Sequence, residues 1–442
     1  MKFLKFTLVA LIAGITTGSS AQTEVLQPHI EKAWLKNEAL KAKTFDLNAA
    51  AWNHKEAKAM YGPTVGFNLG YTLATGGRNI SFPVGDLLNP VYNTLNSLTG
   101  TQQFSNLQNQ EINFFPNNFY DAKVVINQPI YYPDLALNQK LKVLESEAKS
   151  LEVRAFKRQL SKEVMTATFQ VESSRALQQI YQEATVLMSE AKRATQSMVK
   201  NEVAPIYALR RIDAQMAQIE GQYLEATALK NNAQNYFQFL TGDTLGNQAL
   251  NTLEELPLGG ITSQRLREEL LQLQTATSML ALATDKENNF YKPRLGAQLS
   301  LGSQAFNFGW QPYVLMGINL DINLFDNKRH SFRKDAAKAR MEAQQAQYSH
   351  TQDLIHLQVT NAETNLLTAI DQAQKFAPRV SAAQQFYKDS YTRYKEGNAS
   401  YLELVDAQTQ LTQTQIQYQL SRYNAWIKWS EWVYALAIIN IP

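Results

Sequence analysis

Large apolar residues recur at every second position in four short stretches of this chain and at every third or fourth position in several much longer ones. From Thr64 the period is two, with Val65, Phe67, Leu69, Tyr71 and Leu73 on one face and Gly66, Asn68 and Gly70 on the other. That alternation predicts a strand. Phe119 to Tyr131 predicts a second strand, with Phe119, Tyr120, Tyr131 and Tyr132 at its ends, and Ala74 to Asn117 between the two reads as a long loop rich in Asn, Gly, Ser and Thr. Leu295 to Leu301 and Tyr313 to Leu324 repeat the hairpin around a shorter loop holding Phe306, Phe308 and Trp310. Large apolar side chains alternating with small or polar ones suit a barrel wall between lipid and water. The same texture also fits a strand of a soluble sandwich.

The longer stretches have the helical period. Leu135 to Val203 and Arg329 to Glu396 carry seams at Leu137, Leu141, Leu144, Ala148, Leu151 and Ala155, and at Val359, Ala362, Leu366, Ala369, Ala373, Phe376, Val380, Ala383 and Tyr387. Steps alternating between four and three are the mark of a coiled coil, and at ~1.5 Å per residue each helix would run about 100 Å. Pro378 lies inside the second and predicts a kink there, with a break as the alternative. Shorter helices are expected over Pro28 to Met60, Ile206 to Leu240, Thr262 to Asn289 and Tyr401 to Ala437. The first of these has the length that the last lacks to match its counterpart, so the two are expected to stack as one rod.

The order of elements occurs twice. Tyr61-Gly-Pro63 returns as Tyr291-Lys-Pro293, and Asn127-Gln-Pro-Ile-Tyr-Tyr is matched by Leu320-Asp-Ile-Asn-Leu-Phe. At the helix breaks two registers compete. One pairs Asp213-Ala-Gln215 with Asp406-Ala-Gln408; the other pairs Lys200 with Lys395, Ala204 with Ala399 and Leu209 with Leu404. We take the second and treat the Asp-Ala-Gln match as chance. The expected organisation is a signal segment over 1–21, a first repeat over 22–260 (helix, strand hairpin with long external loop, long helical hairpin, connector) and a second over 261–442 (helix, strand hairpin, long helical hairpin, C-terminal helix).

Composition narrows the function. Lys2 and Lys5, the apolar run from Phe6 to Ile15 and the small residues Ser19 and Ala21 make a cleavable secretory signal, with Gln22 as the new terminus. The run is too short to span a bilayer, which takes ~20 residues. The sequence of 442 residues has 42 Lys and Arg against 39 Asp and Glu, a balance that gives no support to nucleic-acid binding. There is no cysteine, which removes disulfides, thiolate metal sites and lipidation at an N-terminal cysteine. The histidines at 29, 54, 330, 350 and 356 hold no pair at helical ligand spacing and read as surface residues. Ser331-Phe-Arg-Lys334 fits a Ser-x-x-Lys pattern without its companion motifs, and Asn398-Ala-Ser400 fits a glycosylation acceptor; both read as chance. Trp426, Trp429, Trp432 and Tyr434 read as core packing. With no cofactor, metal or catalytic constellation in view, an enzyme is not expected.

Four strands cannot close a barrel in lipid, where an open edge is not tolerated. Several chains would have to share one. Strand hairpins leading into long helical hairpins, duplicated and exported, resemble the TolC family of outer-membrane efflux and export ducts. The marks are Tyr61-x-Pro63, Tyr291-x-Pro293, Ile322-Asn-Leu-Phe-Asp326, and Tyr394-Lys-Glu-Gly397 followed by Leu404-Val-Asp406-Ala. The resemblance implies an α+β membrane protein: a homotrimer whose four strands per chain close one β-barrel in outer-membrane lipid, continued by an antiparallel α-helical coiled-coil barrel in the periplasm. It implies a periplasmic adaptor protein and an inner-membrane pump as partners. It places Glu403 and Asp406 at a tunnel constriction, Tyr394 and Arg422 in a gating latch, and Gly397, Asn398 and Pro205 in the turns of the hairpin tips. Ala399 and Ala208 stand where that latch would hold a basic and an acidic partner, so one charged link is missing. The alternative of another class is a non-conducting coiled-coil structural or adhesive protein of the cell surface, which would extract without detergent and show almost no β signal.

Overall fold

The computed structural model describes residues 20–246, Leu256 and 266–438. The signal segment up to Ala21 and the connector after Thr241 lie largely outside them. The elements in order are α1 (Ser20–Lys36), α2 (Glu38–Ala59), β1 (Thr64–Thr72), β2 (Asn79–Phe82), α3 (Val84–Thr99), β3 (Gln110–Asn113), β4 (Phe119–Tyr131), α4 (Pro133–Lys200), α5 (Ile206–Thr241), α6 (Glu268–Asn288), β5 (Arg294–Phe306), β6 (Pro312–Asp321), α7 (Arg329–Lys395) and α8 (Tyr401–Ala435). They form two compact units that cut across the two sequence repeats: one of Trp52–Val143 with Ala281–Lys338, the other of the remaining segments.

The first unit is built on an antiparallel sheet in the order β1-β4-β5-β6. Its register puts Val65, Phe67, Leu69 and Tyr71 opposite Ile126, Val124, Ala122 and Tyr120, and these in turn opposite Leu299, Leu301, Ser303 and Ala305. Leu299 and Leu301 face Met316 and Val314. One face is therefore apolar across all four strands. Its outer strands are bare: Val65, Phe67 and Leu69 are each about two-thirds exposed, and Met316 reaches 80%. The opposite face carries Gly66, Asn68, Gly70, Asp121, Lys123, Gln298, Ser300, Gln304 and Asn319, with Lys123 Nζ donating to Asp121 Oδ2 (2.6 Å) and Tyr313 OH to Asp121 Oδ1 (2.8 Å). Asp134 ties α4 to β5 through Arg294 (2.6 Å).

Two expectations are corrected in this unit. The stretch Ala74 to Asn117 is not an irregular loop: β2 and β3 pair from Asn79↔Asn113 to Phe82↔Gln110 and enclose the helix α3. Local polar composition hid a helix whose apolar positions are spread among asparagines. His330 is not a plain surface residue either. Its ring stacks on Phe290 at 4.3 Å, and its Nδ1 lies 2.8 Å from Asp326 Oδ1, at the start of α7.

The second unit is helical and has two cores. In one, Leu26, Ile30 and Ala33 of α1 and Leu40 of α2 pack with Leu160, Val164 and Phe169 of α4, Phe237 and Leu240 of α5, Leu366 of α7 and the tryptophans of α8. Trp426, Trp429 and Trp432 are buried there, with Trp426 stacked on Phe169 at 5.4 Å. The other core gathers both hairpin tips and is described below. The first helix starts at Ser20, with Pro28 inside it, and breaks at Asn37, whose Oδ1 accepts from Leu40 N (3.0 Å). Burial of Leu26, Ile30 and Ala33 overrides the weak helix signal before Pro28, while the Asn37 side chain competes with the backbone and restarts the helix.

The long helices follow the sequence closely. α4 and α7 run unbroken for 68 and 67 residues, and α7 continues through Pro378. Leu366, Ala369, Ala383, Tyr387 and Tyr394, all on the expected seam or its continuation, are the buried hydrophobic residues of α7 in this unit. A proline costs its helix one hydrogen bond, about 3 kcal/mol. Apolar contacts spaced along the whole seam offset that cost.

Candidate functional site at the hairpin tips

The chain reverses twice in the helical unit, and both reversals use the same backbone. After α4, the N–H groups of Asn201, Glu202 and Val203 donate to the carbonyls of Ser197, Val199 and Met198; after α7, those of Glu396, Gly397 and Asn398 donate to Thr392, Tyr394 and Arg393. Glu202 and Gly397 both sit in the left-handed region, at φ 63° and 77°. Pro205 and Ser400 are the N-caps of the returning helices, both extended, at φ −77°, ψ 149° and φ −81°, ψ 155°. Every one of these pairs obeys the Lys200–Lys395 register, so the Asp-Ala-Gln match is chance, as expected. In keeping with this, Asp213 pairs with Lys192 (2.8 Å), whereas Asp406 makes no ion pair among the described residues.

The two tips share a core. Met188 and Ala191 of α4, Ile212 and Ile219 of α5, Tyr387 and Tyr394 of α7 and Leu404, Val405, Ala407 and Leu411 of α8 are all buried together. Ala208 is fully buried, and Ala399 packs half-buried against this cluster. Tyr207, the second residue of α5, and Tyr401, the first of α8, meet edge to face at 5.9 Å.

Tyr394 is the polar link of this core. Thr195 Oγ1 donates to Ala191 O (2.9 Å), so Tyr394 OH donates to Thr195 Oγ1 (2.6 Å), joining α7 to α4 across the two hairpins. Burial raises its phenol above the ordinary value. Arg422 does not join it. It lies some twenty residues further along α8, about 30 Å at helical rise, with its guanidinium 5.9 Å from the Tyr423 ring.

Glu403 and Asp406 are three apart on α8 and share a face. Glu403 is anchored twice: its backbone N donates to Ser400 Oγ (3.2 Å), and its Oε1 accepts from Arg393 NH1 (3.0 Å). Arg393 also donates to Asn398 O (3.4 Å). Arg393 and Thr195 are the residues that sequence reasoning missed. Arg393 could have been found by folding the hairpin about Gly397, which brings the last turn of α7 against the first turn of α8; Thr195 carries no signal, since its partner lies on another hairpin.

Residues 262–431 match the outer membrane efflux protein family. No curated protein matches the sequence. Among solved structures, CusC superposes with a TM-score of 0.72 at 15% identity, over 93% of this chain and 92% of that one. The outer membrane channel CmeC of Campylobacter jejuni gives 0.71 at 12% identity, over 99% and 93%. The outer membrane protein VceC of Vibrio cholerae gives 0.68 at 16% identity, over 93% and 95%. At such identities the likeness is one of fold. No helix among the described residues is long and apolar enough to cross a membrane, and the apolar face belongs to the sheet. The family match spans the second repeat, and over its described length the chain has the fold of these outer-membrane channels.

Proposed function

We propose that three copies of this chain form one outer-membrane duct, which passively conducts substrates delivered by an inner-membrane pump through a periplasmic adaptor. The observation that carries the reading is the sheet: four strands, free edges at β1 and β6, and one face apolar from edge to edge. Four strands are half of the smallest closed barrel, so the edges of three chains meeting β6 to β1 satisfy the backbone and give twelve strands. The lipid-facing surface is then the apolar face, and Asp121, Lys123 and Asn68 line the water-filled side. α1 ends beside the end of α5, where Lys36 Nζ donates to Gly242 O (3.3 Å), and α6 starts beside the end of α8, where Arg267 lies 5.5 Å from the Tyr434 ring; the paired rods are therefore α2 with α5 and α6 with α8, in place of the expected stacking of the first helix on the last.

At the periplasmic end the two tips converge, and threefold repetition turns each acid of α8 into a ring of three carboxylates. The intrachain ion pair refines this picture. Arg393 neutralises Glu403, so Asp406 supplies the net charge of the constriction. Tyr394 holds the two hairpins of one chain together and acts as an internal brace rather than as half of a latch with Arg422. The two alanines at 208 and 399 make closure depend on packing in the tip core.

The test is single-channel conductance in planar bilayers. Asp406→Asn is expected to weaken block by divalent cations by about tenfold, and Glu403→Gln much less, since a neighbouring arginine already compensates Glu403. Divalent block that survives Asp406→Asn unchanged refutes the constriction, and a chain that extracts without detergent and shows no conductance refutes the duct.

A further inference from the structure

The insert between β1 and β4 is folded inside out. The polar face of α3 is consumed within the chain. Asn89 clamps the backbone of Leu107, donating from Nδ2 to its carbonyl (2.9 Å) and accepting its N–H at Oδ1 (2.8 Å); Asn96 does the same to Phe104 (2.8 and 3.1 Å). Asn109 accepts from Asp86 N (3.1 Å) and donates to Asp86 Oδ2 (2.9 Å). Gly85 permits the close approach, since a Cβ there would stand 2.4 Å from the Leu107 carbonyl oxygen. The apolar face is the one left open: Leu87 is exposed to 69%, Val91 to 52% and Leu98 to 79%, with Leu88 and Leu95 beside them at 38% and 36%. A surface helix ordinarily does the reverse.

The spacing of that bare face identifies its occupant. Val84, Leu88, Val91, Leu95 and Leu98 follow one another at steps of four, three, four and three, the seam of a helix that packs against a helix of its own kind. α3 holds one acid, Asp86, and no Lys or Arg, so it lacks the basic face with which an interfacial helix holds an anionic lipid surface. A 16-residue helix is too short to pair on its own in water. Tethered beside its copies on one barrel, it meets them at an effective concentration in the millimolar range. We infer that the α3 helices of neighbouring chains pack seam to seam and narrow the mouth of the barrel, at the end of the sheet opposite the one where β4 leads into α4. The inference rests on the trimeric-barrel reading above.

The absence of cysteine from the sequence makes the test direct. Val91→Cys and Leu98→Cys are introduced singly into the full-length protein in outer-membrane vesicles and oxidised with copper-phenanthroline. Both are expected to give cross-linked dimers, while Asn93→Cys, on the opposite side of the helix, is not. Mass in detergent is measured in parallel. A trimer in which neither seam cysteine cross-links overturns the self-packing and leaves the barrel standing; a monomeric mass overturns the barrel itself. Leu88→Asp combined with Leu95→Asp is expected to raise single-channel conductance by at least about twofold, and unchanged conductance overturns the narrowing. Quenching of a fluorophore on Val91→Cys by spin-labelled lipid assigns the face to lipid and overturns the inference as well.

Discussion

The tip between α4 and α5 and the tip between α7 and α8 close with the same three backbone hydrogen bonds, residue for residue, yet they are made of different chemistry. The first places Glu202 in the left-handed position and Pro205 at the cap; the second places Gly397 and Ser400 there, and the Ser400 hydroxyl accepts from Glu403 N. The difference continues into the returning helices. α5 buries a narrow stripe in this core, Ala208, Ile212, Gln215 and Ile219, whereas α8 buries Leu404, Val405, Ala407, Gln408 and Leu411 over a broad face and carries its acids on what is left. A turn is a backbone solution that tolerates many side chains. What it presents depends on which face its helix must bury, and α8, with the wider buried face, has a single edge free for Glu403 and Asp406.

That comparison can be broken most forcefully in the core. Leu404→Ala removes a fully buried side chain from α8 and is expected to cost about 2–5 kcal/mol in denaturant unfolding, while Leu209→Ala, at the repeat-equivalent and half-buried position, costs about 1 kcal/mol. Equal losses would show that the two helices are packed alike. The caps differ less. Ser400→Ala should cost about 1 kcal/mol and Ser400→Asp should restore it; an Asp variant as weak as the Ala variant would mean that the hydroxyl caps nothing. The smallest effect sharpens the likeness of the two turns. Glu202→Gly relieves a left-handed residue bearing a Cβ and should gain up to about 1 kcal/mol, whereas Gly397→Ala should lose about as much. A loss on Glu202→Gly would show that the Glu202 side chain holds its turn.

Much of this was legible in the residues. The four strands, the two long helices and the α7 seam from Val359 to Tyr387 follow from period alone, because alternation and the three-four step each leave one face to bury. The Lys200–Lys395 register was legible too, since a turn and a cap occupy fixed places in each repeat. Missing were the elements whose reason lies elsewhere in the chain. α1 extends before Pro28 because α4 and α5 bury Leu26 and Ile30, and α3 forms because Asn89 and Asn96 find the backbone of Leu107 and Phe104 to bind.

The tips show the same division. Sequence alone determined that Glu403 and Asp406 lie three apart on a helix after a tight turn, and that Ala399 and Ala208 cannot carry charge. Only the tertiary structure decided that Arg393 compensates Glu403 and leaves Asp406 bare, and that Tyr394 reaches Thr195 instead of Arg422. Spacing along a helix fixes which side chains share a face. Which of them find a partner depends on the helix packed opposite, and no local pattern records that.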